Sequence, residues 1–175
     1  MTETELIAGV LDFARDKGIL DAAPEMQFIK TMEEFGETSS NLFRLLSTQD
    51  EKYRVSLKDD IGDVQVTVII LNELTGGKPS DLLRYSENYE SSSETSMDAY
   101  LKLTTSLGLI AHGLQQKDYE YMTEDIVKAY CEARDFATMI GLEPDECLEI
   151  AYTEIAGRTG ETRNGMFTKT EDLTD

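Results

Sequence analysis

Apolar side chains recur at three- and four-residue steps along most of the chain, the period of helices with one buried face. Leu6, Val10, Phe13 and Ala14 form the first stripe, which closes at Lys17-Gly18, a helix-stop signal. Pro24 suits a helix start, and the next stripe runs through Phe28, Met32, Phe35, Leu42 and Leu45 to Leu46. A third helix is expected from about Tyr53 to Leu74, stopped by Gly76-Gly77 and Pro79. Its "VTVII" run has strand character. The run continues into "LNEL" without a turn and is longer than most strands, which favours a buried helix. The polar, Ser-rich "YSENYESSSET" at 85–95 reads as a linker. Helical patterns follow at about 97–116 and 119–140, and Pro144 starts another that ends near Gly157. The tail "NGMFTKTEDL" holds an Asn-Gly turn and a short extended piece. The fold class expected is all-α, a helical bundle.

The pattern also repeats. "FIKTMEEFGETSSNL" (28–42) aligns with "YLKLTTSLGLIAHGL" (100–114), pairing Lys30 with Lys102, Gly36 with Gly108 and Leu42 with Leu114. "DIGDVQVTVIILNELTGGKPSDLL" (60–83) aligns with "DIVKAYCEARDFATMIGLEPDECL" (125–148), sharing a Gly-x-x-Pro stop. One domain over 1–175 is expected. It contains a first half at 1–84, a second helix pair at 97–157 and a tail at 158–175. The copies differ in their acids. Glu33, Glu34, Glu37 and Asp63 of the first become Thr105, Ser106, Leu109 and Lys128 in the second. Acids that only solvate a surface have no reason to be confined to one copy.

Composition narrows the function. The formal net charge is −19 over 175 residues, which argues against nucleic acid and against anionic membranes. "MTETELIAGV" lacks a basic n-region and a long apolar run, so a cytoplasmic location is expected. Cys131 and Cys147 have no zinc-type spacing and stand where the first copy has Val66 and Leu82, so they read as small core residues. His112 stands opposite Ser40 in the repeat and reads as structural.

Glu34 and Glu37 share a helix face, as do Asp60 and Asp63, with Asp59 and Asp63 an i,i+4 pair. If the two helices pack antiparallel, the carboxylate pairs face each other. Two such charges 4 Å apart repel by about 4 kcal/mol at an effective dielectric near 20, so a cation is the natural partner. Oxygen-only ligands suit Mg²⁺ or Mn²⁺. Solvent-facing helix acids are the alternative. No Glu-x-x-His pair of the di-iron type and no DxDxDG loop is present.

"KTMEEFGETSSNL" followed by "LKDDIGDVQVTVIILNEL" resembles the EExxE and ExxD blocks of MazG-like all-α nucleoside triphosphate pyrophosphohydrolases. The flanks, "VLDFARDKGILDAAPEMQFIKTMEEFGE" and "LEPDECLEIAYTEIAGRTGETRNGMFTK", look like the single-copy, phage-type members. The resemblance covers nearly all the chain and is weakest at about 84–124. Two positions depart from the family pattern: Asp60 replaces the glutamate of the second block, and Thr153 an asparagine of the closing helix. What the resemblance implies is hydrolysis of (d)NTP to (d)NMP and pyrophosphate with Mg²⁺. Glu34, Glu37, Asp60 and Asp63 would hold the metal, with Asp59 in reserve, and Glu33, Glu34 or Glu37 would take the water's proton. Lys30, Arg158 and Lys169 would meet phosphates, with the base near Phe13 and Phe28. A homodimer is expected, in the host cytoplasm if the chain is phage-encoded. The competing expectation is a non-catalytic nucleotide sensor or regulator that kept the fold.

Overall fold

The structure is a computed structural model that describes residues 1–163 and 166–170; the side chains of Glu120, Glu161, Arg163, Met166 and Lys169 lie outside the described set. Helix α1 (Glu3–Asp16) opens with a capping box: Thr2 Oγ1 accepts from the Glu5 amide and the Glu5 carboxylate accepts from the Thr2 amide. Gly18, at φ 68°, leads into a 3-10 turn (Ile19–Asp21), and Pro24 then starts α2 (Pro24–Thr48). Next come α3 (Lys52–Leu74), α4 (Pro79–Asn88), α5 (Ser96–Gln116), α6 (Tyr119–Met139) and α7 (Pro144–Ala156). Strands β1 (Gly160–Arg163) and β2 (Met166–Lys169) pair antiparallel.

The described residues are overwhelmingly helical, as the stripes predict. "VTVII" is helical, and α3 is buried on every side from Val64 to Asn72, which is why its apolar run shows no polar stripe. Two elements differ from the sequence reading. Residues 79–88 form α4, so helix extends into the segment expected as linker, and only 89–95 remain outside helices. Leu82 is the one buried side chain of α4, too short a pattern to read as a stripe. The extended piece after Arg158 is half of a hairpin, whose first strand had no apolar signature. The Asn-Gly turn, at 164–165, lies outside the described residues.

Helices α2 and α3 are joined by three residues and run antiparallel, with Gln27 reaching Thr67 and Asn41 reaching Asp60. α3 packs on α6, α6 on α5, and α5 meets α2 where Tyr100 stacks on Phe35 (centroids 5.2 Å apart), closing a four-helix bundle. The third helices cross over: α7 packs chiefly on α3, and α4 chiefly on α6. The α3–α7 approach is close. A Cβ at Gly62 would stand 2.8 Å from the Cys147 carbonyl carbon and 2.9 Å from Ala151 Cβ, so only glycine fits there.

Both halves end their second helix identically. Gly76 and Gly141 have φ of 86° and 78°; Gly77 N–H donates to Asn72 O as Leu142 N–H does to Ala137 O. Pro79 and Pro144 then start α4 and α7. Cys131 and Cys147 are buried as free thiols. His112 is exposed, which corrects its reading as structural: its face of α5 points away from the bundle. Among the described residues no helix is long and apolar enough to cross a membrane.

Candidate functional site

The acids gather where the N-terminal half of α3 faces the middle of α2. Glu34 is buried, and Glu33 and Glu37 on the same helix are exposed. Asp60 is buried, and Asp59 and Asp63 are half-buried. Burial pushes the Asp63 carboxyl up to about 7, and the negative charges of Glu34, Asp59 and Glu154 add to it while Arg158 opposes. Burial likewise pushes Asp60 up to about 6, against a hydrogen bond from Asn41 Nδ2 (2.7 Å), with Glu37, Asp59 and Glu34 adding repulsion. Asp59 is raised by burial and by Glu154. The α2 and α3 carboxylates therefore form one electrostatic group, as the antiparallel packing requires.

The group is partly neutralised from within. Lys30 Nζ lies 2.8 Å from Glu33 Oε2 and 2.6 Å from Glu34 Oε1. Asp59 Oδ1 is buried with no hydrogen-bond partner, so of the two aspartates in doubt, Asp59 has the uncommitted oxygen and Asp60 is tied to Asn41. Oxygen-only donors and an orphaned carboxylate oxygen fit a hard divalent ion in chemistry. The side chains are not drawn together around one: among the described residues no group of three His, Cys, Asp or Glu converges closely enough to hold an ion.

A third element joins the site. Glu154 near the end of α7 presses on Asp59 and Asp63 and pairs with Arg158 Nη2 at 2.5 Å. Arg158 Nε is buried without a partner. The sequence reading picked out Arg158 and missed Glu154. The i,i+4 spacing of the two residues was the available signal, but nothing in the sequence shows that α7 crosses to α3.

Beside the acids a cleft of about 290 Å³ opens between α1, α2, α3, α7 and β2. Lys30, Glu33, Glu34, Asp63 and Arg158 stand at its charged side. Its interior is walled by Phe13, Ile19, Met26, Val66, Ile70 and Phe167, with Gln27 and Thr67 among them. Phe13 and Phe167 meet edge-on, centroids 5.8 Å apart. The hairpin is held there by Thr162 Oγ1, which donates to Lys17 O. Phe28 packs partly buried against the core and does not line the cleft. Lys169 ends β2; its side chain lies outside the described residues.

In the second half the equivalent groove lies between α5 and α6, lined by Lys102, Thr105, Ser106, Leu109, Lys128 and Glu132. Lys102 there contacts Asp98, Ser92 and Ser93, and Lys128 pairs with Glu124. The lysine of the first copy is retained, Ser106 and Lys128 stand in place of Glu34 and Asp63, and Asp98 and Glu132 are the acids of the groove.

No family of known proteins matches the chain, and no solved structure does. Over 68 residues the chain is 40% identical to an 18.2 kDa protein of the rep–hol intergenic region of Haemophilus phage HP1 (strain HP1c1), itself described as uncharacterised. The match covers 38% of this chain and 37% of that protein, about a third of its length.

Proposed function

We propose that the chain is a Mg²⁺-dependent nucleoside triphosphate pyrophosphohydrolase of MazG-like type, converting (d)NTP and water to (d)NMP and pyrophosphate in nucleotide-pool control. The observation that carries the reading is one cleft lined by both charged and apolar side chains. Carboxylates from α2 and α3 stand with Lys30 and Arg158 at one side, and aromatic and aliphatic walls lie within. A nucleotide has the matching polarity, a flat base and an anionic chain.

A divalent ion, when bound, neutralises phosphate charge and lowers the pKa of a water molecule. Glu34, Glu37, Asp60, Asp63 and Asp59 are the residues that would hold it. Lys30 sits on a flexible stem and can exchange Glu33 and Glu34 for a phosphate oxygen. Arg158, with its unpartnered Nε, supplies a second cation for the phosphate chain. Once Lys30 leaves, Glu33 or Glu34 can accept a proton from the attacking water. Burial of Glu34 and Asp60 keeps bulk water from these two carboxylates and strengthens their charges.

A second reading, a nucleotide sensor without turnover, is favoured by the pairing of Lys30 with Glu33 and Glu34, which holds two acids in ion pairs. Pyrophosphate release from a panel of dNTPs and NTPs with Mg²⁺ separates the two. Turnover abolished by Glu37→Gln and Asp63→Asn in folded protein supports the enzyme; nucleotide binding without release supports the sensor. A homodimer belongs to this reading, because Phe43, Leu46 and Val55 stand exposed on α2 and α3. Light scattering that gives a strict monomer removes it.

A further inference from the structure

The polar groups inside the cleft are committed in a way that selects among bases. Gln27 is only 6% exposed, and its Nε2 donates to the Thr67 backbone carbonyl at 3.1 Å. That bond fixes the amide orientation, since a flipped amide would set Oε1 against a carbonyl oxygen. Among the described residues no hydrogen bond reaches Gln27 Oε1. Thr67 is 5% exposed and lies on the facing helix; its Oγ1 donates to Val64 O at 3.0 Å, which uses its single proton. Both side chains line the cleft. Each therefore has a donor turned into the protein and an oxygen left as acceptor, and Gln27 keeps one further N–H.

Two acceptors beside one donor match a base edge that offers two protons beside one acceptor. We infer that Gln27 and Thr67 select nucleotides whose base carries an exocyclic amino group, adenine, cytosine or guanine, over thymine and uracil. Guanine sets N1–H on Gln27 Oε1, its amino group on Thr67 Oγ1 and O6 on the remaining Gln27 N–H; in adenine and cytosine the amino group offers two protons, one to Gln27 Oε1 and one to Thr67 Oγ1. The adjacent ring nitrogen accepts the remaining Gln27 N–H, the pairing by which glutamine reads adenine elsewhere. Thymine and uracil place a carbonyl oxygen where the amino group belongs. It would face Thr67 Oγ1 with no proton between them and leave a buried acceptor unsatisfied. Thr168, on the hairpin side of the cleft, has a hydroxyl that can turn either way and does not discriminate. The flat aromatic walls, Phe13 and Phe167, accept any base and leave the choice to these two residues.

This inference rests on the reading of the cleft as a nucleotide site, and its test separates the two. With the full-length protein, kcat/KM is measured for dATP, dCTP, dGTP, dTTP and dUTP with Mg²⁺, and binding of dAMP, dCMP, dGMP and dTMP is measured by calorimetry without turnover. The expected result is a preference of at least about tenfold for the amino bases in either measurement, the scale of one unsatisfied buried acceptor. Thr67→Val and Gln27→Met should each collapse that ratio, and Thr67→Ser, which keeps the oxygen, should restore it. Equal or preferred use of dTTP and dUTP overturns the inference while leaving the pyrophosphohydrolase reading intact. So does an amino preference that Thr67→Val and Gln27→Met both leave unchanged. Amino-base monophosphates bound in preference, with no triphosphate hydrolysed, support the inference and remove the enzymatic reading. No binding of any nucleotide removes both.

Discussion

At the residue scale, the site is defined by carboxylates held where carboxylates are unfavourable. Asp63, pushed to about 7, binds a proton in the folded chain across a range where the unfolded chain does not. Its contribution to stability is therefore full at pH below the ordinary carboxylate range and is lost as pH rises towards 7. Asp63→Asn removes that pH-dependent loss. The melting temperature of metal-free Asp63→Asn should rise relative to wild type between pH 6 and pH 8, as followed by scanning fluorimetry; a gap that is flat or that closes over this range contradicts the assignment. Mg²⁺ should raise the wild-type melting temperature at pH 8 and do so much less in Asp63→Asn. Lys30 sets up a second test with opposed effects. Lys30→Gln frees Glu33 and Glu34, so Mg²⁺ binding should tighten. The same change deletes a phosphate contact, so KM for the triphosphate should rise about tenfold. Loss of both affinities would place Lys30 in a structural role instead.

Much of this was legible in the sequence at the same scale. The three-residue spacing of Glu34 and Glu37, and of Asp60 and Asp63, suffices to put each pair on one helix face, and the loss of Glu34, Glu37 and Asp63 from the second copy marks those three as special. Glu154 was not legible, because its place depends on α7 crossing to α3, a tertiary fact that periodicity does not carry. Phe167 was hidden for a similar reason: a single aromatic in a polar tail reveals nothing until the hairpin folds back onto α1.

At the element scale, the close fit of α3 on α7 positions Glu154 and Arg158. Gly62 is what permits that fit. Gly62→Ala should destabilise the fold by about 1–3 kcal/mol through overpacking, measured by denaturant unfolding. It should also lower kcat/KM beyond what a similarly destabilising substitution far from α7 does, because the helix that carries Glu154 and leads into Arg158 is displaced. Equal losses in the two variants would mean that α7 has no part in the site. Helix positions were readable wherever a stripe spans several turns, as in α1, α2 and α5. They failed for α4, where one buried leucine in ten residues leaves no period to detect. Of the tail's strands only the second was readable, as a short extended piece, and its pairing was not, since two short polar segments have no apolar alternation behind them.

At the scale of the whole molecule, two helical units share a way of ending their second helix and exchange their third helices. The consequence for function is that the acid-bearing seam of the first unit is completed by α7 from the second. Duplication followed by loss of acids in the second unit would leave one site per chain, with the second unit acting as its structural partner. The acid-rich seam beside the cleft is where a cation and an anionic substrate can meet. The most direct test of this account is pyrophosphate release by the purified chain from a panel of dNTPs and NTPs with Mg²⁺, with Asp63→Asn as control. The account predicts stoichiometric pyrophosphate and nucleoside monophosphate from the wild type and none above background from folded Asp63→Asn. Nucleotide turnover that survives Asp63→Asn, or its absence from the wild type across the whole panel, would contradict it.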